Sequence, residues 1–398
     1  MRLIPIPNYE DYKLDAIFDC YKWDPQFLDS NTVAKYALVI TEEEHKKLKE
    51  LTEAVDKETI IAEEFLNNNL EIAKPLALPK KVYNELKRMK NYDSSKHIRL
   101  MRYDFHPTLE GFKISEVNSD VPGGFAEASL LPILANKYLN NEYYSINFGD
   151  ILANKIKEKV KENGNIMMVH CTSYSDDRQV MQFLGDKLKN MGFNIIYGAA
   201  DHLRFKDNKA YSILSGNECE IDGIFRFTPL EWLIGIKPKY WDGYFDTVTP
   251  SCNHPIAIFA QTKRFPLIWD ELTKKGIDLS NWKKLLPETT EVKKLEDGYI
   301  YKPACGRVGE KISIKEACEK EEYDAILKDV KKHPKNYLTQ KQFISEPLII
   351  DNTKFHVCLG SYTINGIHGG YYARISDKPR IDSDAKDIPV LIERSKND

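Results

Sequence analysis

Runs of apolar residues at recurring spacings divide the chain into segments with different predicted structure. In the first segment, residues 1–98, apolar positions recur at helical spacing from Leu48 to Ile61. Thr41 with Glu44 matches a capping box at the start of this helix. We therefore expect a helical N-terminal region.

The segment 165–250 alternates between short apolar strands and an amphipathic helix. Strands are predicted at 165–170, 193–197 and 221–227, with the helix at 176–191. This order indicates a βαβ unit with a parallel sheet. No GxGxxG sequence follows the first strand, so the dinucleotide-binding fingerprint is absent there. The CTSYSDD loop after that strand is either part of a substrate site or a polar turn that caps the helix.

A pattern of alternating polar positions predicts a hairpin between these two segments. Arg102 and Asp104 share one face of a strand, and Glu116 and Asn118 share a face of the next. The connection 107–111 has the composition of a hairpin loop. Carboxylate and amide oxygens of this kind suit Mg²⁺, which keeps several waters and takes one or two carboxylates plus substrate phosphates. The alternative is a surface hairpin with an ordinary salt bridge.

The last third of the sequence combines strands with isolated cationic side chains. A loop and then a helix carry Lys263 and Arg264, and a strand at 298–303 carries Lys302 near its end. The following sequence, ACGRVGEKISI, is predicted to be a glycine-containing loop and a strand. Backbone amides of such a loop can fold over phosphates, with Lys302 to neutralise them; alternatively, the glycines only make a hairpin turn.

An antiparallel strand pair is predicted near the C-terminus. Residues 354–363 and 369–375 pair across the turn INGI, which places Tyr372 and Arg374 on one face. A further strand is predicted at 337–344. The polar tail is expected to fray at its end.

Composition and charge narrow the class of protein. The 398 residues include 57 Lys+Arg and 60 Asp+Glu, for a net charge of −3, which argues against a general nucleic-acid binder. No apolar run of membrane length occurs, so no membrane association is predicted. The seven cysteines include no CxxC pair, which argues against a zinc site and, with no secretory signal pattern, predicts a cytoplasmic protein.

Six ordered segments carry most of the polar residues singled out above. They are RYDF at 102–105, EVNSDVPGGFAEA at 116–128, KRFPLIW at 263–269, YKPACGRVGEKISI at 301–314, QKQFISEPL at 340–348 and GGYYARI at 369–375. In this order they resemble the motifs of the glutathionylspermidine synthase family, in its synthetase domain, which is a branch of the ATP-grasp ligases. Any one segment is unspecific, but six in sequence are specific.

The resemblance implies a fold that periodicity alone does not give. It implies an α+β and α/β fold of the ATP-grasp type with a pre-ATP-grasp βαβ domain and permuted elements. The expected parts are the helical region 1–98, a metal-binding part of the core at 99–164, a βαβ substrate domain at 165–250, and a nucleotide-clamping lobe with its lid at 251–398. It also implies a stand-alone synthetase, without the amidase domain of the bifunctional members.

The resemblance further implies an ATP-dependent carboxylate–amine ligase. A carboxylate attacks the γ-phosphate of ATP, and an amine then attacks the acyl-phosphate to form an amide. The implied cofactors are ATP and two Mg²⁺ ions, and the implied partners are a small peptide-like or amino-acid substrate and a small amine. The oligomeric state is not implied.

Each implied site residue has a role by resemblance. The metal ligands are Asp104, Glu116 and Asn118, and the catalytic residues are Arg102 and Arg374. The ATP-binding residues are Lys263, Lys302, Arg307, Gln342, Phe343 and Ile344. The loop 304–311 would close as a lid over the acyl-phosphate.

The sequence departs from the family's pattern in a turn near the expected substrate site. Val121-Pro122-Gly123-Gly124 replaces the family's Thr-Pro-Thr turn, so hydroxyl groups give way to glycine. The glutathione and polyamine substrates are therefore not carried over. Two other functions stay open: an ATP-grasp kinase that stops at phosphorylation, and a nucleotide-binding regulator without turnover.

Overall fold

The fold is mixed α/β, and its strands form several small sheets rather than one. The computed structural model describes residues 1–23, 25–28, 30–304, 306, 309 and 311–394. The helices of this part are α1 (Tyr9–Asp19), α2 (Glu42–Asn68), α3 (Lys80–Arg88), α4 (Leu130–Tyr138), α5 (Phe148–Lys157), α6 (Ser175–Asn190), α7 (Leu230–Leu233), α8 (Ile258–Gln261), α9 (Trp269–Lys274), α10 (Ser280–Leu285) and α11 (Lys320–Lys332). No helix among the described residues combines the length and the apolar character that a bilayer span requires.

The strands are short except for those of two long hairpins. They are β1 (Arg2–Pro5), β2 (Gln26–Phe27), β3 (Ser30–Asn31), β4 (Tyr36–Ile40), β5 (Leu100–Thr108), β6 (Gly111–Asn118), β7 (Tyr143–Tyr144), β8 (Asn165–Val169), β9 (Asn194–Gly198), β10 (Leu203–Lys206), β11 (Lys209–Ser212), β12 (Cys219–Ile221), β13 (Gly223–Arg226), β14 (Ser251–Cys252), β15 (Thr289–Glu291), β16 (Tyr299–Pro303), β17 (Tyr337–Lys341), β18 (Leu348–Ile350), β19 (Thr353–Ile364), β20 (Ile367–Ser376), β21 (Lys386–Ile388) and β22 (Val390–Glu393).

The largest sheet joins the two long hairpins edge to edge. Its order is β21-β20-β19-β5-β6, and β18 also pairs with β19. Both predicted hairpins are confirmed, and the β19–β20 turn uses Asn365 and Gly366, each with positive φ. The first hairpin is tighter than predicted, because β5 continues to Thr108 and β6 already begins at Gly111. Antiparallel pairing of β5 with β19 places residues from the first third of the chain beside residues from its end.

Helix α2 covers one face of this sheet. Its predicted capping box is confirmed: Thr41 accepts from the Glu44 amide at 3.1 Å, and the Glu44 side chain accepts from the Thr41 amide at 2.9 Å. Leu48 and Val55 of the predicted stripe are fully buried in the core. The hydroxyl of Thr52 donates to Ser361 of β19 at 2.8 Å. The long amphipathic helix α2 therefore packs on one face of the sheet, and the opposite face lines a cavity.

The predicted βαβ unit is confirmed as a parallel sheet with the order β14-β13-β8-β9. Helix α6 connects β8 with β9, and Gly192 follows it at φ 95°. The predicted strand at 221–227 is shorter, because Ile221 belongs to β12 in the separate β10-β11-β12 sheet. A third small sheet, β15-β17-β16, packs against α11 through Tyr301, Ile326 and Val330.

The two ends of the chain form a sheet that the apolar pattern did not predict. Its order is β1-β4-β22-β7, and β22 runs parallel to β4. The N-terminal region is therefore not only helical, since β1 and β4 belong to it. The C-terminal tail also contributes β22, in which Leu391 and Ile392 are buried against that sheet. Residues 395–398, where fraying was predicted, lie outside the described residues.

Candidate functional site

A cavity of about 1020 Å³ opens between the largest sheet, the parallel sheet and the β15-β17-β16 sheet. It is lined by every predicted site residue that the structure describes: Arg102, Asp104, Glu116, Asn118, Lys263, Lys302, Gln342, Phe343, Ile344 and Arg374. Arg307 lies outside the described residues, as does half of the predicted lid, residues 305, 307, 308 and 310. The residues come from both hairpins and from three further segments: the connection after α8, strand β16 and the stretch after β17.

The first hairpin places two carboxylates side by side. Asp104 and Glu116 are directly opposite each other in the β5–β6 register, and a bulge follows between Asp104 and Phe105. The Asn118 amide nitrogen donates to Asp104 Oδ2 at 3.0 Å. Like charges directly opposite each other destabilise a sheet, so this arrangement needs cations around it. The protein supplies a separate cation to each carboxylate.

The surroundings of these two carboxylates push their pKa values apart. Burial raises the pKa of Asp104, and the paired Arg102 opposes this only in part. Burial also acts against the charged form of Glu116, but Lys263 and Lys302 together hold its pKa below the ordinary value. Glu116 is therefore the carboxylate that stays ionised more firmly.

Two lysines from different elements approach Glu116. Lys263 Nζ lies 3.0 Å from Glu116 Oε2 and donates to the Gly306 carbonyl at 2.5 Å. The prediction that Lys263 lies on a helix is wrong: α8 ends at Gln261, Thr262 is extended, and a short 3₁₀ turn with Pro266 follows. An extended connection lets the ammonium group reach across the cavity.

Lys302 on β16 is the more deeply buried of the two lysines. Its Nζ donates to the Ser115 carbonyl at 2.8 Å, and the residue is 4 % exposed. Burial, followed by the nearby Lys263, lowers the pKa of Lys302 to about 7. The predicted strand after the glycine loop is wrong, since residues 312–314 form no strand; the Ser313 amide instead donates to the Tyr301 carbonyl beside Lys302.

Arg102 is held in one orientation by several contacts. Its Nε and Nη2 donate to Asp104 at 2.7 and 3.0 Å, and Nη1 donates to the Gly123 carbonyl at 3.1 Å. The guanidinium carbon lies 5.0 Å from the centroid of the Tyr372 ring. A Cβ atom at Gly360 would lie 2.6 Å from the Arg102 side chain, so a glycine is required there.

The glycine pair that replaces Thr-Pro-Thr has a packing reason. Gly124 has φ 89°, and a Cβ atom on it would lie 2.7 Å from the Tyr372 ring. Tyr372 in turn packs under Arg102. The loss of hydroxyls at this turn therefore accompanies the close approach of the backbone to a tyrosine on the cavity wall.

Arg374 faces the C-terminal strand β21. Its Nη2 donates to the carbonyl oxygens of Asp382 and, at 3.2 Å, Ala385, and its Nε lies 4.0 Å from Asp387 Oδ1. Asp387 is directly opposite Arg374 in the β20–β21 register. Arg374 is thus positioned by the tail that the sequence pattern left as polar and irregular.

The other end of the cavity is mainly apolar. The Gln342 amide donates to the Gly298 carbonyl at 2.9 Å, and the predicted strand at 337–344 ends earlier, at Lys341. The Phe343 ring lies 5.2 Å from the ring of His106, whose pKa burial lowers to about 4. Ile344 is exposed. A neutral histidine and a phenylalanine therefore place two rings, tilted by 50° to each other, at this end of the cavity.

Several charged residues of the cavity wall had no predicted role, and three of them contact one another. Lys22 Nζ lies 2.7 Å from Asp387 Oδ2 and 2.9 Å from Glu127 Oε1, and all three line the cavity. Glu127 lies within the EVNSDVPGGFAEA segment, so the motif could have identified it as a site residue. Lys22 and Asp387 lie outside the six motif segments, so the sequence did not mark them as site residues.

The donor set around Asp104 fits a magnesium ion by its chemistry. Both carboxylates and the Asn118 amide offer hard oxygen atoms to one wall of the cavity. Among the described residues, no group of three or more His, Cys, Asp and Glu side chains is arranged to hold a metal ion. The predicted set contains only two carboxylates, and its third member is an amide.

Comparison with known proteins fits this geometry. The model of the family described as "Glutathionylspermidine synthase preATP-grasp" matches residues 18–393. The chain belongs to this family. The predicted resemblance is therefore confirmed, and with it a synthetase-type, ATP-dependent ligase at that level of detail. A search of curated proteins found no match.

Two solved structures align with most of the chain. A glutathione synthetase-like effector from Globodera pallida, in its apo form, aligns with a TM-score of 0.65 and 12% identity, over 98% of this chain and 100% of that chain. A putative γ-glutamylcysteine synthetase from Methylobacillus flagellatus aligns with a TM-score of 0.45 and 11% identity, over 84% of this chain and 88% of that chain. At this identity the first likeness concerns the fold alone, and it confirms the predicted ATP-grasp-type fold class.

Proposed function

We propose that the protein is an ATP-dependent carboxylate–amine ligase that forms an amide through an acyl-phosphate. The observation that carries the proposal is the composition of the large cavity formed by the described residues. The largest sheet carries Arg102 and Asp104 on β5, Glu116 on β6 and Arg374 on β20. Lys263 and Lys302 reach β6 from other elements, at Glu116 and at the Ser115 carbonyl. This combination of oxygen donors with several cations suits phosphoryl transfer, in which catalysis is mostly positioning and charge stabilisation.

ATP would bind with its base at the apolar end of the cavity. The rings of Phe343 and His106 offer apolar surfaces there, and the backbone near Gln342 and Ile344 would offer hydrogen-bonding groups. The phosphates would extend toward Lys263 and Lys302, whose ammonium groups neutralise them. Arg307, which follows Lys302 in the sequence, is also proposed to bind the nucleotide.

Asp104, Glu116 and the Asn118 side chain would hold Mg²⁺, which would neutralise phosphate charge and orient the γ-phosphoryl group. Glu116 now pairs with Lys263. Binding of the nucleotide would give that lysine a phosphate partner and leave the carboxylate for the metal. Arg102 and Lys263 thus neutralise the two carboxylates in the free protein. Substrate and nucleotide would pair with these cations and leave the carboxylates for the metal.

Arg102 and Arg374 would act on the acid substrate and on the transferring group. The planar fork of Arg102 suits a carboxylate, and Tyr372 and Gly123 already fix its orientation. Arg374 would stabilise the negative charge that develops during phosphoryl transfer and amine attack. An arginine cannot lose its proton at this site, so both groups stay cationic throughout.

The decisive experiment measures whether a carboxylate oxygen of the acid substrate is transferred to phosphate. Candidate acids are labelled with ¹⁸O in the carboxylate and screened with amines and Mg·ATP, and ADP, phosphate and amide are measured. An acyl-phosphate intermediate transfers one ¹⁸O from the acid to phosphate for each amide formed. Glu116→Gln serves as the inactive control.

Other outcomes would replace the proposal. A phosphorylated acid that accumulates without any amine requirement would indicate a kinase. Nucleotide binding without ADP formation across the whole panel would indicate a regulator. Unlabelled phosphate from a productive reaction would refute the acyl-phosphate route.

A further inference from the structure

A lysine of the protein itself occupies a cation site on the wall of the cavity. Lys22 follows α1, and its ammonium group lies between Glu127 and Asp387 at 2.9 and 2.7 Å. Each of the three side chains is at most 10 % exposed. Two buried carboxylates around one ammonium group make a strong site for an amine.

This site adjoins the residues proposed for the reaction. Asp387 accepts a hydrogen bond from the Tyr372 hydroxyl at 2.7 Å and lies 4.0 Å from Arg374. Tyr372 also packs under Arg102. The pair of carboxylates therefore lines the same cavity as the two arginines that are proposed to take part in the reaction.

One acceptor atom in this cluster is left over. Glu127 Oε1 accepts from Lys22, but Glu127 Oε2 is buried and has no hydrogen-bond partner among the described residues. An unpaired buried carboxylate oxygen is costly, so the site is incomplete without a donor.

We propose that Lys22 determines the amine specificity, so that the acceptor subsite receives one amino group, at Glu127 Oε2, and excludes polyamines. The attacking amine must be uncharged to act as a nucleophile, so a monoamine or an amino acid brings no unpaired cation into the site. Each additional ammonium group of a polyamine needs a carboxylate of its own, and Lys22 already takes both of those buried here. The role of the amine as the acceptor rests on the proposed ligase function. The binding of the amine at this site does not depend on that function.

The experiment measures binding, so that it does not depend on turnover. Spermidine is titrated calorimetrically, in the presence of a non-hydrolysable ATP analogue and Mg²⁺, into wild type, Lys22→Ala, Lys22→Arg and Lys161→Ala. Lys161 pairs with Asp222 at 3.1 Å on the surface, so its removal changes net charge equally and frees a carboxylate elsewhere. We expect spermidine to bind at least tenfold more tightly to Lys22→Ala, with the other two variants close to wild type.

A second arm keeps the proposal testable if Lys22→Ala folds poorly. Glu127→Gln leaves Lys22 its contact with Asp387 and removes the open carboxylate oxygen. In this variant we expect no gain in spermidine binding and a raised KM for a monoamine acceptor such as glycine. Melting temperatures with and without added propylamine report on folding: propylamine should stabilise both wild type and Lys22→Ala, and it should leave Glu127→Gln unchanged.

The failures of the two proposals look different. Absence of ADP release with every acceptor overturns the ligase function and leaves the binding arm to be judged alone. Equal spermidine affinity in wild type and a folded Lys22→Ala variant overturns the role of Lys22. Amide formation by wild type with spermidine as efficiently as with monoamines overturns it as well.

Discussion

The buried ammonium group of Lys302 should take up a proton when the nucleotide binds. In the free protein, burial and Lys263 lower its pKa to about 7. Phosphates placed against the ammonium group favour its charged form and would return the pKa toward the ordinary lysine value of 10.5. The protonation of one lysine thus reports whether phosphates reach it.

The size of this effect follows from the two pKa values. At pH 8 a group with a pKa near 7 is protonated in about one molecule in ten, and a group with the ordinary lysine pKa is almost fully protonated. Binding of Mg·ATP should therefore take up about 0.9 proton at Lys302 at pH 8, but only about 0.1 at pH 6. The sign is fixed, because a lysine with a lowered pKa can only gain protons as its pKa rises.

The assay is titration calorimetry of a non-hydrolysable ATP analogue with Mg²⁺ in buffers of different ionisation enthalpy. The slope of the observed enthalpy against that of the buffer gives the number of protons taken up. Lys302→Arg is the matched control, because its guanidinium stays charged at every pH. The difference between wild type and Lys302→Arg removes protons that belong to ATP itself.

Stability offers an independent check on the same residue. The folded-state pKa lies below the unfolded value, so the cost of burying the charge is fully present below pH 7 and is lost as the pH rises toward 10.5. A shift from 10.5 to about 7 corresponds to a cost of about 5 kcal/mol at low pH. Lys302→Met should therefore raise the melting temperature at pH 6 more than at pH 9.

Two results would refute this reasoning. Proton uptake at pH 8 that is the same in wild type and Lys302→Arg would mean that the phosphates do not reach Lys302. A Lys302→Met variant that is no more stable than wild type at pH 6 would mean that the ammonium group is well solvated or well paired in the folded protein.

The remaining predictions concern four other residues. Glu116→Gln should abolish Mg·ATP turnover and leave the melting temperature within a few degrees of wild type, because it removes a charge and opens no core; wild-type ADP release would contradict the metal assignment. Arg374→Ala should lower kcat by about 10²- to 10³-fold with little change in the KM for ATP; a change in KM alone would exclude a transition-state role. Gly124→Ala should destabilise the protein by about 2–4 kcal/mol in denaturant unfolding, because its Cβ atom meets the Tyr372 ring, whereas Gly216→Ala, also at positive φ but in open space, should cost only about 1 kcal/mol; equal costs would show that the contact is unimportant.

The part of the site that could be predicted lies on the two hairpins. Period-two alternation places Arg102 with Asp104 and Tyr372 with Arg374, because side chains of a strand point alternately to its two faces. The motif order then assigned these residues to one cavity. Pairing of β5 with β19 is a contact between distant parts of the chain, and alternation within each hairpin does not specify it.

Other features depend on packing that a local pattern does not report. Lys263 leaves the helical pattern because Thr262 is extended and Pro266 follows, although the neighbouring apolar residues favour a helix. The strand predicted beside Lys302 fails for a similar reason, since the Ser313 amide and hydroxyl bond to Tyr301 only once β16 is in place. In both regions tertiary contacts decide the backbone conformation.

The site residues that the sequence identified least well, Lys22 and Asp387, come from the two ends of the chain. The Asp387 amide donates to the Thr32 carbonyl at 2.6 Å, and the Ala34 amide donates to the Asp387 carbonyl at 2.9 Å. These backbone contacts join residues 32–34 to β21 and continue into the parallel pairing of β22 with β4. Asp387, the carboxylate beside Arg374, also contacts the Lys22 ammonium group. Amine specificity and the placement of the proposed catalytic arginine are consequently coupled through Asp387, and a change at either end of the chain should affect both.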